Sequence, residues 1–196
     1  RFHPNCYYRP SVDDAPETRT AWPALISAVT DPGGRLTGVH RTWLDPRGFS
    51  EVNLGRAPIE TPRRAMGDLL GHALRFGVGG EVMAAGEGIE TTLSVRSVLT
   101  QMPSMAALSA AHLSAILFPR TLRRLYFARD NDPAGDRAMT VLIERASAAG
   151  IETVVLTPRL GDFNEDLRLL GFDALAAHQR LQVASGEVAR FMSLAA

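Results

Sequence analysis

Acidic residues stand directly after three short apolar segments in the second half of this 196-residue sequence. The segments and their acids are residues 82–85 with Glu87, residues 125–128 with Asp130 and Asp132, and residues 153–156 with Asp162. Each segment has the length and apolar character of a buried β-strand. Because ligands of open parallel sheets bind beyond the carboxyl ends of the strands, a parallel arrangement would gather these carboxylates at one edge.

Helical patterns alternate with these predicted strands. Apolar residues recur at helical spacing in residues 89–99, 111–117 and 133–149. The third stretch has strong boundary signals, with Asp132 as an N-cap, Pro133 at the first helical position and Gly150 just after the end. Strands that alternate with helices predict an α/β fold, in which a parallel sheet with right-handed crossovers is flanked by helices.

The carboxylates at the predicted edge favour a metal site. Carboxylates that are held close together repel each other, and one takes up a proton unless a cation joins them. Oxygen ligands suit Mg²⁺ or Mn²⁺, which also accept substrate phosphates as ligands. Gly86 and Gly88 leave room beside Glu87 for a nucleotide backbone. Simpler interpretations stay open, with Glu87 as a solvated loop residue and Asp132 and Asp162 as helix caps.

The first 80 residues have a different pattern, which predicts a smaller mixed α+β subdomain. Apolar segments at residues 25–29 and 36–44 flank a turn sequence, so we expect an antiparallel hairpin. Residues 62–74 are interpreted as a loop that leads into a short helix. The glycine-rich residues 76–80 are the predicted boundary. The predicted domains are residues 1–80, a catalytic domain at 81–170 and a helical tail at 171–196.

Composition limits the class of protein. The 21 basic residues are all arginine and balance 21 acidic residues, so the net charge neither favours nor excludes a nucleic-acid partner. A single cysteine, Cys6, excludes a disulfide framework or a cysteine-rich zinc site within the chain. We see neither a membrane-spanning run nor a secretory leader, and we expect a cytoplasmic protein without membrane partners. The chain starts at Arg1 rather than Met, and we expect a segment of a longer protein.

Three short motifs carry a resemblance to a known family. They are GEGIET at residues 86–91, ARDNDPAG at residues 128–135 and GDFNED at residues 161–166. In order and spacing they resemble the motif series of the Toprim family, in particular the DNA primases of phages and plasmids. The resemblance covers about residues 81–170 and implies a Toprim-type parallel sheet flanked by helices. The first 80 residues are similar, more weakly, to the segment that precedes Toprim in these primases.

The resemblance also implies a reaction. Primases of this family are nucleotidyltransferases that use Mg²⁺ or Mn²⁺ to make RNA primers on single-stranded DNA from nucleoside triphosphates. By this resemblance Glu87, Asp130 and Asp132 are the expected catalytic residues. The expected metal ligands are the same three residues together with Asp162.

Residues around the motifs receive supporting roles. Arg63, Arg64 and Arg129 are the arginines that we expect to contact nucleic acid. Glu90 and Asp166 are expected to support the metal ligands without binding the metal. The resemblance further implies an upstream zinc-ribbon domain and a helicase domain or partner, within a DNA-replication protein of a mobile element.

Two positions depart from the cellular bacterial primases. Those enzymes carry an Asp four residues after the first Glu, where this chain has Thr91, and a second Asp in the last motif, where this chain has Asn164. Two other functions stay open. One is a Toprim nuclease or another phosphodiester-processing enzyme, and the other is a non-catalytic nucleic-acid or nucleotide-binding module of a mobile-element protein. An upstream zinc ribbon would favour the primase, whereas an attached ATPase domain would favour the nuclease.

Overall fold

The computed structural model of the chain describes residues 1–11, 13 and 15–192. The chain divides into two compact units. The first comprises Arg1–Val29 and Leu36–Leu69, and the second comprises Thr30–Arg35 and Leu70–Ala196. The division therefore falls near residue 70, earlier in the sequence than the boundary predicted at residues 76–80, and a short hairpin tip groups with the second unit.

The first unit is built on an antiparallel sheet, as predicted. Its strands are β1 (Phe2–Tyr8), β2 (Thr20–Thr30), β3 (Leu36–Trp43) and β4 (Arg63–Gly67), with a short 3₁₀ turn, Pro16–Thr18, before β2. They are arranged in the order β1-β2-β3-β4, and β1 with β2 and β3 with β4 pair antiparallel. Tyr8 and Trp43 pack edge to face with their ring centroids 5.1 Å apart. Together with Cys6, Ala24 and Ala57 they form a small core.

The sequence predicts the hairpin of β2 and β3 correctly but misplaces the segment that follows. The hairpin turn is stabilised by Asp31, whose Oδ1 accepts hydrogen bonds from two backbone N–H groups of the turn. The helix predicted within residues 62–74 is wrong, because this segment begins with β4 and pairs with β3. At the end of β4, Gly67 has a φ of 109°, and a Cβ there would lie 2.4 Å from the Thr37 carbonyl oxygen. Pairing with β3 thus decides the conformation of residues 63–67, and such pairing can override a local preference for helix.

The second unit contains a five-stranded sheet that is mainly parallel. Its strands are β5 (Leu74–Phe76), β6 (Val82–Gly86), β7 (Ser104–Ala106), β8 (Arg124–Ala128) and β9 (Glu152–Leu156). Their order is β5-β7-β6-β8-β9. β6 pairs parallel with β7 and β8, β8 pairs parallel with β9, and β5 runs antiparallel to β7. The predicted α/β fold is confirmed, and β5 adds an edge strand that the sequence did not predict.

Helices connect the strands and extend the chain beyond β9. They are α1 (Ile89–Val98), α2 (Ala110–Ala115), α3 (Pro133–Ala148), α4 (Phe163–Leu170), α5 (Phe172–Arg180) and α6 (Ser185–Phe191). In α3, the predicted apolar stripe places Ala138, Leu142 and Ala146 in the core. The sequence pattern therefore gives both the position and the buried face of this helix.

The sheet is buried on both faces, because alternate residues of its strands enter different hydrophobic clusters. Ala84 and Tyr126 pack in a cluster with residues of α1, α4 and α5, whereas Met83 and Phe127 pack in a cluster with residues of α2 and α3. A strand that is covered on both sides requires apolar residues throughout. This explains why these segments are continuous apolar runs rather than alternating ones.

The predicted helical tail, residues 171–196, is divided into α5 and α6. Glu187 holds α6 to the sheet, since its carboxylate accepts hydrogen bonds from the Tyr126 hydroxyl and from Arg124, the latter over 2.7 Å. Residues 193–196 lie outside the described part of the chain. Among the described residues, no helix has both the length and the apolar character needed to cross a membrane.

Candidate active site

The register between β6 and β8 brings the first two acidic motifs together. Gly86 is the Cα partner of Ala128 in this parallel pair, so Glu87 and Asp130 leave the sheet at the same carboxyl edge. The end of β6 is packed tightly against α1, because a Cβ on Gly86 would lie 2.7 Å from the Thr92 hydroxyl oxygen. A side chain at position 86 would have to displace the Thr92 hydroxyl.

The loop after β9 reaches the same edge. The Asn131 backbone N–H donates to the Gly161 carbonyl oxygen over 2.8 Å, and the Asn131 side chain donates to the carbonyl oxygen of Leu160. Asp162 follows directly, so it lies beside the loop that carries Asp130. Asn131 is a positioning residue that the sequence analysis missed, and its place between the two aspartates of the second motif was the available signal.

Asp130 is the electrostatic centre of the acidic edge. Its burial, followed by the charges of Glu87 and Asp162, raises the pKa of its carboxyl group to about 7, and Asp132 adds to the same effect. The Thr91 hydroxyl opposes the shift by donating a hydrogen bond to Asp130 Oδ1 over 3.2 Å. The structure therefore brings the other three predicted carboxylates, Glu87, Asp132 and Asp162, close enough to act on Asp130.

Two of the acids also cap helices. Asp132 Oδ1 accepts a hydrogen bond from the Gly135 N–H over 2.6 Å at the start of α3, and Asp162 Oδ1 accepts one from the Glu165 N–H over 2.6 Å at the start of α4. A Cβ on Gly135 would lie 2.5 Å from the Asp130 carbonyl oxygen. Glycine at position 135 therefore allows the second motif to fold back tightly onto the start of its helix.

The two residues predicted to support the ligands have different surroundings. Asp166 is 1% exposed, and its two oxygens accept hydrogen bonds from the backbone N–H groups of Arg159 and Leu160, each over 2.8 Å. It thereby holds the loop that leads to Asp162. Glu90 is half-buried in the first turn of α1.

The donor atoms at the edge are carboxylate oxygens, which Mg²⁺ and Mn²⁺ prefer. Among the described residues, no three His, Cys, Asp or Glu side chains converge closely enough to hold a metal ion. Asp132 and Asp162 each direct Oδ1 to a helix cap instead. The negative charges of Glu87, Asp132 and Asp162 nevertheless repel that of Asp130, and a bound divalent cation would relieve this repulsion. The residues fit such a cation by charge and ligand type, and side-chain rotation is needed for them to converge on it.

The arginines predicted to contact nucleic acid differ in their surroundings. Arg129 forms an ion pair with Asp136, with N···O distances of 2.8 and 2.7 Å. Arg64 donates to two backbone carbonyls of the segment after β1, and its guanidinium lies 5.0 Å from the Tyr8 ring centroid. Arg63 is exposed on β4. Arg129 and Arg64 therefore also stabilise the chain itself.

A cationic pocket on the first unit is a feature that the sequence analysis missed. It is lined by Tyr7, Arg9, Ser11, Arg41, Trp43 and Arg64. The Arg41 guanidinium lies 5.2 Å from the Tyr7 ring centroid and 4.9 Å from that of Trp43. Its Nε is buried and has no hydrogen-bond partner among the described residues. Arg41 and Trp43 are two residues apart on β3 and share a face, and this spacing was the signal in the sequence.

The parallel sheet, its flanking helices and the acids at its carboxyl edge define an α/β domain of the Toprim type. Residues 82–173 match the family described as Toprim domain. Residues 1–76 match a second family, described as a domain of unknown function (DUF7146). No curated protein matches the chain in sequence.

Solved structures with this fold include DNA primases. The primase fragment of the bacteriophage T7 primase-helicase protein is 15% identical with a TM-score of 0.57, over 83% of this chain and 64% of that one. The zinc-binding and RNA polymerase domains of Aquifex aeolicus primase are 16% identical with a TM-score of 0.56, over 90% and 44%. A Pseudomonas aeruginosa DNA primase domain is 16% identical with a TM-score of 0.51, over 90% and 56%. The chain has the fold of a Toprim-type primase core and spans less than two thirds of each of these proteins.

Proposed function

We propose that the chain is the catalytic core of a DNA primase, a nucleotidyltransferase that synthesises RNA primers on single-stranded DNA with Mg²⁺ or Mn²⁺. The observation that carries the proposal is the cluster of carboxylates around Asp130, in which burial, Glu87 and Asp162 raise the pKa of Asp130 to about 7. The negative charge of this edge suits Mg²⁺ or Mn²⁺ bound to the phosphates of a nucleoside triphosphate. The Toprim domain and the fold shared with primases support the same function.

The proposed roles follow from the position of each acid. Asp130 is the central ligand, and Asp132 and Asp162 contribute oxygens from the caps of the next two helices. Glu87, at the end of the neighbouring strand, either completes the ligand set or takes the proton from the attacking 3′-hydroxyl. A divalent cation bound there would neutralise charge on the triphosphate and on the reacting oxygens.

Asp166 and Glu90 are proposed to act through these ligands. Asp166 holds the backbone of residues 159–160 and so sets the path of the loop that ends at Asp162. Glu90 adds negative charge in the first turn of α1, one turn away from the end of β6. Neither residue is proposed to contact the cation.

The proposed surface for single-stranded DNA is the cationic pocket of the first unit. Arg63, which is exposed on β4 and precedes Arg64, is proposed as a further contact. Bases stack on aromatic rings, and arginines contact phosphates without regard to sequence. Tyr7, which is 55% exposed, supplies the ring, and Arg41 lies over that ring and lines the pocket. Arg129 is proposed to contact phosphate at the acidic edge by exchanging its ion pair with Asp136.

The proposed partners extend beyond the chain. One related structure includes a zinc-binding domain, and another is a fragment of a primase-helicase protein. We propose that a zinc-ribbon domain and a helicase, fused or separate, accompany this core in the replication protein of a mobile element. We propose that the reaction takes place in the cytoplasm, where single-stranded DNA and nucleoside triphosphates would be available.

The test is analysis of the products that the protein, with its native flanking regions, makes from single-stranded DNA, nucleoside triphosphates and Mg²⁺ or Mn²⁺. Short RNA that depends on both template and metal is the expected result. Shortening of labelled DNA in the same reactions would replace the proposal with a nuclease. Nucleotide or DNA binding without either product would replace it with a binding module.

A further inference from the structure

Thr91 links two elements of the second unit at the acidic edge. It lies in the first turn of α1 and is 3% exposed, and its hydroxyl donates to Asp130 Oδ1 over 3.2 Å. Asp130 belongs to the loop after β8, whereas α1 follows β6. The hydrogen bond therefore joins the helix after one strand to the acidic loop after the neighbouring strand.

The hydroxyl groups that follow Thr91 in α1 behave differently. Thr92 donates to the carbonyl oxygen of Gly88 over 2.8 Å, and Ser94 donates to that of Glu90 over 2.9 Å. This return to the carbonyl four residues earlier is the usual contact of Ser and Thr in helices. Thr91 does not follow it, so its contact with Asp130 is a specific feature of the edge rather than a local helix contact.

The hydrogen bond from Thr91 also differs from the effects of the neighbouring carboxylates on Asp130. Glu87, Asp162 and Asp132 place negative charge near this carboxylate, and none of them can donate a hydrogen bond to it while ionised. Thr91 donates to Oδ1 and thereby holds the carboxylate in one orientation. Because Oδ1 accepts this bond with one lone pair, Oδ2 and the second lone pair of Oδ1 are left for a cation.

We propose that Thr91 is a positioning residue, whose hydroxyl holds the Asp130 carboxylate in the orientation that binds the divalent cation. The inference rests on the proposed function, since orientation matters only if Asp130 is a metal ligand. Groups that hydrogen-bond to metal ligands change metal affinity by roughly 10–100-fold when they are removed. The hydroxyl of Thr91, rather than its bulk, is therefore the part of the side chain that affects the affinity for the divalent cation.

Two substitutions separate the hydroxyl from the bulk. Thr91→Val removes the donor and keeps the branched shape, whereas Thr91→Ser keeps the donor and removes a buried methyl group. Mg²⁺ and Mn²⁺ affinities of the full chain are measured from melting temperatures across a metal titration. We expect Thr91→Val to bind Mg²⁺ about 10-fold more weakly. Thr91→Ser should melt at a lower temperature without metal but bind Mg²⁺ as the wild type does.

Wild-type Mg²⁺ affinity in Thr91→Val, or equal weakening in Thr91→Ser, would overturn the positioning role. Crystal structures of the wild type and Thr91→Val give a readout that does not depend on metal, because the Asp130 carboxylate should rotate when the donor is lost. An unchanged Asp130 side chain would count against the proposal. If the wild type itself binds neither metal, the metal assignment fails and the inference for Thr91 fails with it. If the wild type binds metal and Thr91→Val binds it equally well, only the role of Thr91 is overturned and the metal assignment stands.

Discussion

Gly86 and Ala128 are Cα partners in neighbouring parallel strands, and each is the last residue of its strand. The residues that follow them, Glu87 and Asp130, therefore emerge at the same edge of the sheet. An antiparallel pairing of the same strands would have sent them to opposite ends. The acidic edge is thus a consequence of sheet topology, and the acids should respond to one another when one is changed.

Asp130→Asn is predicted to change how stability depends on pH in metal-free buffer. The wild-type carboxyl has a pKa of about 7 when folded, against an ordinary value of 3.8. Between these values the folded chain holds a proton that the unfolded chain has released, so wild-type stability falls as pH rises from about 4 to 7. Asparagine does not titrate and can still accept the bond from Thr91. Because Asp130 keeps some solvent contact, we expect the variant to gain about 2 kcal/mol over the wild type across this window.

The measurement is urea denaturation from pH 4 to 8 in the presence of a chelator. Asp173→Asn is the matched control, since Asp173 is an exposed residue of α5. Parallel stability profiles for the wild type and Asp130→Asn would show that the carboxylates do not interact as described.

Two substitutions of Asp132 are predicted to separate its role in helix capping from its role in catalysis. Asn caps helices about as well as Asp, so Asp132→Asn should keep wild-type stability, whereas Asp132→Ala should lose about 1 kcal/mol with the bond to Gly135. Both variants should lose primer synthesis, because neither supplies an anionic ligand. Denaturation and product formation are measured on the same preparations. An active Asp132→Asn would remove this residue from the ligand set.

Gly135→Ala is predicted to distort the second motif. Its Cβ would lie 2.5 Å from the Asp130 carbonyl oxygen, and a backbone atom yields little, so we expect a loss of about 1–3 kcal/mol together with reduced activity. Gly186→Ala is the control, because among the described residues nothing outside its own stretch of α6 lies within 4 Å of its Cβ position. That change should be neutral or stabilising by up to about 1 kcal/mol. Equal melting temperatures for the two variants would contradict the packing described for the motif.

Glu187 is predicted to stabilise the chain much more than Glu152, although both pair with Arg124. The Glu187 side chain is 11% exposed and that of Glu152 is 58% exposed. Glu187→Ala leaves the buried Tyr126 hydroxyl without its acceptor and removes one of the two carboxylates that pair with the partly buried Arg124, at a cost of about 2–3 kcal/mol. Glu152→Ala should cost at most about 1 kcal/mol. Chemical denaturation of both variants tests the difference, and equal losses would show that α6 is not held by Glu187.

Local signals in the sequence were enough to predict the central fold and the acidic motifs. Strands buried on both faces must be apolar throughout, so β6 and β8 are visible as short apolar runs. Asp132 and Pro133 mark the start of α3 because the cap and the first helical position have strong residue preferences. The place of Glu87 and Asp130 at strand ends then follows from the rule for parallel sheets.

Features that depend on pairing between distant segments were not predictable. β4 and β5 are short, and their conformation is decided by β3 and β7, which lie elsewhere in the sequence. The bond from Thr91 to Asp130 requires the register of β6 and β8, which no local pattern encodes. The pocket around Arg41 requires β1, β3 and β4 to be assembled first.

The most direct test of the catalytic assignment is template-dependent primer synthesis by the protein with its native flanking regions, comparing wild type, Asp130→Asn and the control Asp173→Asn. The reactions contain single-stranded DNA, nucleoside triphosphates and a titration of Mg²⁺ or Mn²⁺, and all three proteins are confirmed to be folded by thermal melting. We expect metal-dependent primers from the wild type and Asp173→Asn and none from Asp130→Asn. Primer synthesis by Asp130→Asn at the wild-type rate would contradict the assignment of the acidic edge as the catalytic site.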